Sequence, residues 1–118
     1  MKYKYKFSDI VFRSGNRKRI IVMEEKYQMV AQFLMSDIQG SDPKYVFESI
    51  DKVLDGQSEY EELNGNVCGV EINKDMTQIY DNLAEDGMGN WCEIETQELR
   101  ELVDIWCNEL KRFKEQQK

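Results

Sequence analysis

Asn64-Gly65 stands between two runs that alternate polar and apolar residues, and this is the feature that most restricts the fold of the chain. An Asn-Gly pair suits the two positive-φ positions of a type I′ turn, whose twist matches that of paired antiparallel strands. Residues 58–63 precede the pair and residues 66–72 follow it. In the second run Cys68, Val70 and Ile72 share one face and Glu71 points to the other, because successive strand residues point to opposite sides. The spacing predicts a β-hairpin with one face in a core.

Further strands follow from the same period of two. Residues 2–7, KYKYKF, place Lys2, Lys4 and Lys6 on one side and Tyr3, Tyr5 and Phe7 on the other, a half-buried strand that continues through Ile10 and Phe12. Ser14-Gly15-Asn16 reads as a turn, residues 20–23 as a second strand and Glu24-Glu25-Lys26 as a connection. Residues 76–83 form a strand after the turn Asn73-Lys74-Asp75, and residues 91–95 a short strand with Cys92 and Ile94 aligned. The segment AEDGMGN between them is a loop.

Two segments carry helical spacing. In SDPKYVFESIDKVLDG, Asp42 is a suitable N-cap, Pro43 suits the first turn and Gly56 the exit. Val46, Phe47, Ile50, Val53 and Leu54 form its apolar stripe, so a middle helix is expected over about 43–55. Thr96 can open a C-terminal helix over about 97–115, with Leu99, Leu102, Val103, Trp106, Leu110 and Phe113 in one stripe. Lys111, Arg112 and Lys114 suit the negative end of its dipole. Residues 27–35, YQMVAQFLM, fit both periods: Tyr27, Met29, Ala31, Phe33 and Met35 as a strand, or Tyr27, Val30, Phe33, Leu34 and Ile38 as a helix. No capping residue stands just ahead, and on that ground the strand is preferred. The expected fold is α+β: one domain over 1–118, an antiparallel sheet of about five to seven strands, a middle helix and a C-terminal helix.

Charge is distributed unevenly. The net charge is −7, yet residues 1–19 hold seven Lys/Arg against Asp9, residues 20–110 hold five against 21 acids, and residues 111–118 hold four against Glu115. The acidic middle repels nucleic acid and attracts a basic partner. No apolar run approaches the ~20 residues of a membrane helix, and the lysines of the N-terminus lead into no apolar stretch of a secretory signal. The three cysteines form an odd, widely spaced set, which favours a reducing cytoplasm over a secreted disulfide framework.

The candidate chemistry is sparse. The chain contains no histidine, which removes Ser-His-Asp and Cys-His catalysis and most zinc sites. Cys68, Cys92 and Cys107 lack the close spacing of a metal set and read as buried thiols, with a reactive or metal-binding role as the lesser alternative. The stretch DNLAEDGMGNWCE offers Asp81, Asn82, Glu85, Asp86, Asn90 and Glu93 but not the calcium-loop pattern. It reads as a solvated loop or an acidic recognition loop. Glu59, Glu61 and Glu62 lack the surroundings of an acid–base pair and suit a guarded sheet edge. Gly87 and Gly89 match no phosphate-binding fingerprint. No cofactor, metal, nucleic acid or membrane partner is expected.

Taken together, VLDGQSEYEELNG, NVCGVEI and IETQELRELVDIWCNELKRF resemble small acidic bacterial immunity proteins that accompany polymorphic or contact-dependent growth-inhibition toxins. A looser resemblance is to small YacL-type proteins with the same layout of strands and helices. The resemblance covers roughly residues 20–115 and carries structural motifs, with no catalytic ones. It implies a cytoplasmic, non-enzymatic protein that binds and neutralises a toxin domain, many such toxins being basic nucleases. The acidic middle of the chain suits that role. The residues expected to meet the toxin are Glu59, Glu61, Glu62, Asp81, Glu85, Asp86 and Trp91. The alternative is a homodimeric structural or adaptor module.

Overall fold

A computed structural model of the chain describes residues 2–38, 43–65, 67–81 and 91–116. Strands β1 (Tyr5–Val11) and β2 (Arg17–Met23) pair as a two-stranded antiparallel ribbon. A single 3-10 turn, Glu25–Tyr27, leads into helix α1 (Gln28–Asp37), followed by α2 (Lys44–Leu54). Strands β3 (Tyr60–Asn64), β4 (Cys68–Asn73), β5 (Met76–Asp81) and β6 (Trp91–Glu95) form a four-stranded antiparallel meander in chain order. Helix α3 (Thr96–Gln116) follows directly from β6. The fold is α+β, with the middle and C-terminal helices where the spacing predicts them. Its six described strands divide between two sheets.

One face of the four-stranded sheet supplies the floor of the core. Cys68, Val70, Ile72, Ile79, Cys92 and Ile94 are buried there together with Thr77. Helix α1 covers it with Met29, Val30, Phe33 and Leu34, α2 adds Val46, Ile50 and Val53, and α3 adds Leu99, Leu102, Val103 and Trp106. Each large apolar side chain so placed contributes about 1.5–3 kcal/mol. The ribbon closes the far side through Phe7, whose ring stacks on Trp106 with centroids 6.2 Å apart. The indole N–H of Trp106 in turn donates to the carbonyl of Ile38 at 2.9 Å. Thr96 ties the start of α3 to the sheet: its hydroxyl donates to the Asn73 carbonyl and lies 2.7 Å from the Thr77 hydroxyl.

Residues 27–35 depart from the strand preferred above, for they form most of α1. Their buried members Met29, Val30, Phe33 and Leu34 recur at helical spacing, and Gln, Met, Ala and Leu are sound helix formers. The missing cap is explained by what precedes the helix. Tyr27 has no side-chain cap bond, but the 3-10 turn supplies the local structure, with Tyr27 N–H donating to Glu24 at 2.8 Å and Gln28 N–H to Glu25. A strand here would leave the sheet's inner face uncovered.

The Asn64-Gly65 hairpin forms, but its turn is not type I′. Neither residue has positive φ; the described glycines that do are Gly15 and Gly56. Asn64 pairs with Gly69, and Gly65 N–H donates to the Cys68 carbonyl at 2.9 Å, so the connection is longer than two residues. The deciding contact comes from α1. Asp37 accepts hydrogen bonds from the backbone N–H groups of Val67 at 3.1 Å and Cys68 at 3.0 Å, and its carboxylate lies where a Cβ on Gly65 would stand. Glycine is needed here for close approach, not for backbone handedness. At the exit of α2, Gly56 adopts φ +82° as expected, while Asp42 lies outside the described residues.

Candidate protein-binding surface

The second face of the four-stranded sheet is built from the alternate residues of the same strands. Strand register aligns Glu62 with Glu71, Glu71 with Gln78 and Gln78 with Glu93, one row across all four strands. The neighbouring row runs Asn64, Gly69, Tyr80, Trp91. Gly69 lacks a side chain under the Tyr80 ring, which occupies the position a Cβ would take. Tyr60 flanks the acidic row. Its hydroxyl lies 3.4 Å from Glu62 and 3.3 Å from Glu71, so its single proton is shared between two carboxylates. Desolvation and then the carboxylates of Glu71 and Glu62 push this hydroxyl up to about 12. Burial and the same two carboxylates also raise Tyr80.

Like charges directly opposed on neighbouring strands are destabilising, and Glu62 faces Glu71 in this way. Among the described residues no Lys or Arg forms an ion pair with Glu62, Glu71 or Glu93; Gln78 donates to Glu93 at 3.3 Å. Glu95, further along β6, pairs with Lys2. Trp91 is 52% exposed and Tyr60 43%, large aromatic surface at either side of an acidic row. The Trp91 side chain also lines a groove with Glu25, Gln28, Met29 and Gln32.

The residues singled out in the sequence scatter over this frame. Glu62 and Trp91 share the outer face. Glu59 is exposed immediately before β3. Glu61 lies on the opposite side, where its carboxylate accepts from Ser58 at 2.9 Å. Asp81 pairs in register with Cys68 on the inner side. Glu85 and Asp86, with the rest of their loop, lie outside the described residues. Sequence reasoning passed over Tyr60, Glu71 and Tyr80, and weighed Glu93 only as a calcium ligand. The alternation around Cys68–Ile72 and Cys92–Ile94 already turns Glu71 and Glu93 outward, but placing them in one row requires the register.

The thiols belong to the core. Cys68, Cys92 and Cys107 are buried and form no disulfide. Burial first, then the carboxylates of Asp37 and Asp81, push the Cys68 thiol up to about 12, and burial raises Cys92. A protonated thiol is a poor nucleophile. No helix among the described residues is long and apolar enough to cross a membrane.

Fold and surface define a small α+β protein with one sheet face packed by helices and the other, among the described residues, uncovered, acidic and edged by aromatic side chains. A Bacillus cereus protein described as an immunity protein is 40% identical over 114 residues, covering 97% of this chain and 93% of that relative. The chain belongs to the same family, that of a bacterial immunity protein. No protein-family model and no solved structure matches it.

Proposed function

We propose that this chain is a non-enzymatic cytoplasmic immunity protein that binds and neutralises a cognate toxin domain of a polymorphic or contact-dependent growth-inhibition system. The toxin domain is a basic nuclease, and the outer face of the four-stranded sheet is the surface that meets it. Kinship with the Bacillus cereus immunity protein supports the role. The observation that carries the choice of surface is the opposition of Glu62 and Glu71 beside Glu93, without a cation to offset it among the described residues. A basic partner would relieve that repulsion and be steered by it, while Trp91 and Tyr60 would serve as anchors. Glu59, Glu61, Asp81, Glu85 and Asp86 would add to the attracting field, with Glu62 and Trp91 in direct contact.

The test is the rate of association and dissociation against the product of any toxin gene that adjoins this one, at low and high salt. Reversing Glu62, Glu71 and Glu93 to lysine should slow association by about tenfold or more at low salt. The difference should shrink as salt shortens the screening length to about 8 Å. Trp91→Ala should raise the dissociation rate about thirtyfold, the equivalent of an anchor of ~2 kcal/mol. An association rate that ignores the triple reversal removes the acidic mechanism.

A further inference from the structure

The β1–β2 ribbon ends in a tip that neither the core nor the acidic sheet face accounts for. The core covers the ribbon as far as the pair Phe7 and Ile21, and at the next inner pair Asp9 binds Arg19 at 2.9 Å. Beyond it the pairs Ile10–Lys18 and Val11–Arg17, and the turn that joins them, are exposed. Ile10 is 43% exposed, Val11 63% and Phe12 50%, three large apolar residues in succession. Alternation turns Val11 to the side of Phe7 and Ile10 to the other, so apolar surface is bare on both sides of the ribbon. The turn is closed by its own backbone: Phe12 N–H donates to the Asn16 carbonyl at 2.8 Å, and Gly15 N–H, at φ +90°, to the Phe12 carbonyl at 2.9 Å. Residues 10–18 contain Arg13, Arg17 and Lys18 and no acid. The end of α3 lies alongside, with the Arg19 guanidinium 4.9 Å from the Phe113 ring centre, and adds Lys111, Arg112 and Lys114 against Glu115. The acids nearest the tip, Asp9 and Glu109, are both engaged by Arg19, at 2.9 Å and 3.7 Å. Among the described residues Arg13, Arg17 and Lys18 form no ion pair. Folding thus gathers the two basic segments of the chain at one end.

We propose that this tip docks in the surface layer of an anionic lipid bilayer, with Ile10, Val11 and Phe12 entering the boundary between headgroups and acyl chains and Arg13, Arg17 and Lys18 pairing with the headgroups. Charge complementarity makes the occupant anionic. The shape of the tip makes it a lipid: a flat protein face covers one side of a ribbon, whereas a fluid layer closes around both. A nucleic acid would pair with the cations but offers aliphatic side chains little apolar surface. The self-bonded turn enters a water-poor layer without leaving those backbone groups unsatisfied. The ribbon packs on the far side of the core from the acidic sheet face, so that face points away from a surface the tip meets, and salt screens its repulsion beyond about 10 Å. The lack of a spanning apolar run bears on helices that cross a membrane, not on a tip that lies in its surface. A few apolar side chains and basic residues give a reversible, salt-sensitive attachment.

Vesicle flotation decides it. Wild type should float with phosphatidylcholine vesicles that carry about 30% phosphatidylserine at about 0.05 M salt, not with phosphatidylcholine alone, and should be released at about 0.5 M salt. Neutralising the tip (Arg13→Gln, Arg17→Gln, Lys18→Gln) should weaken binding about a hundredfold. Removing its apolar surface (Val11→Ser, Phe12→Ser) should weaken it about tenfold. Both variants should melt like wild type, because all five positions are exposed. The native thiols are buried, so an environment-sensitive dye can be placed at the apex through Ser14→Cys. It should brighten and shift to the blue on the anionic vesicles, while the same dye at exposed Glu48→Cys on α2 should not. Wild type that never floats at low salt, tip variants that float as wild type does, or an apex dye that stays in water on floating protein overturns the proposal. Wild type that binds duplex DNA and leaves the vesicles overturns it in favour of a nucleic acid. Toxin binding through the acidic face is measured separately, and the tip variants should keep it; variants that lose the toxin would place the tip in that interface and overturn the assignment to lipid.

Discussion

On β4, Cys68, Val70 and Ile72 are buried on one face while Gly69 and Glu71, one residue out of step, lie on the other. The inner face is apolar, covered by three helices and tied to Asp37. The outer face sets glutamate against glutamate and leaves Trp91 and Tyr60 in water. One backbone therefore carries two surfaces with opposite effects on stability. The inner set holds the sheet together, whereas the outer set costs folding free energy, and a surface that costs stability is one to examine for a partner.

The comparison breaks first on the inner face. Ile79→Ala removes a fully buried side chain under α1 and should cost about 2–5 kcal/mol in chemical denaturation. A loss no larger than that of an exposed-site change such as Glu93→Ala would mean that the packed face is not the source of stability.

The clamp on the hairpin comes next. Asp37→Ala leaves two backbone donors without their acceptor and should cost about 1–3 kcal/mol. Gly65→Val should displace the same carboxylate and cost a similar amount. Because both substitutions break one contact, the double variant should lose less than the sum. Full additivity would show the two positions to be independent.

Cys68 offers a pH signature of the inner face. Its proton is held in the folded state up to about 12, whereas the thiol ordinarily titrates near 9.0. The unfolded chain thus loses that proton first, and stability present below about pH 9 should be lost progressively as pH rises from there toward 12. Denaturation midpoints over this range should fall less steeply in Cys68→Ala than in wild type. Equal slopes, or rapid thiol labelling of the native protein at neutral pH, would contradict a buried, protonated Cys68.

The smallest effect is expected outside. Glu71→Gln removes the repulsion between opposed carboxylates and should raise stability by about 0.2–1 kcal/mol, while slowing association with the toxin domain. A marked loss of stability would show that the acidic row supports the fold and would blur the distinction between the two faces.

Much of this was legible in the linear sequence because it rests on near neighbours. The alternation in residues 5–7 and 68–72 identifies strands and their buried sides, although β1 begins only at Tyr5 and β4 at Cys68, and the spacing from Val46 to Leu54 and from Leu99 to Phe113 identifies two helices. Glu71 was correctly turned away from Cys68. The absence of histidine excluded whole classes of chemistry without any structure at all.

What remained undetermined depends on residues far apart in the chain. Residues 27–35 satisfy both periods, and the choice of helix follows from the sheet face they must cover. The Asn64-Gly65 turn was misread because its geometry answers to Asp37, 28 positions before Gly65, and a local turn preference is too small to override a carboxylate bonded to two backbone donors. The division of six strands into a ribbon and a meander, and the row Glu62, Glu71, Gln78, Glu93, are properties of register. Periodicity states which side of a strand a residue takes. Only tertiary pairing decides which residues on other strands it faces, because that pairing is set by the collective packing of the core and not by any single segment.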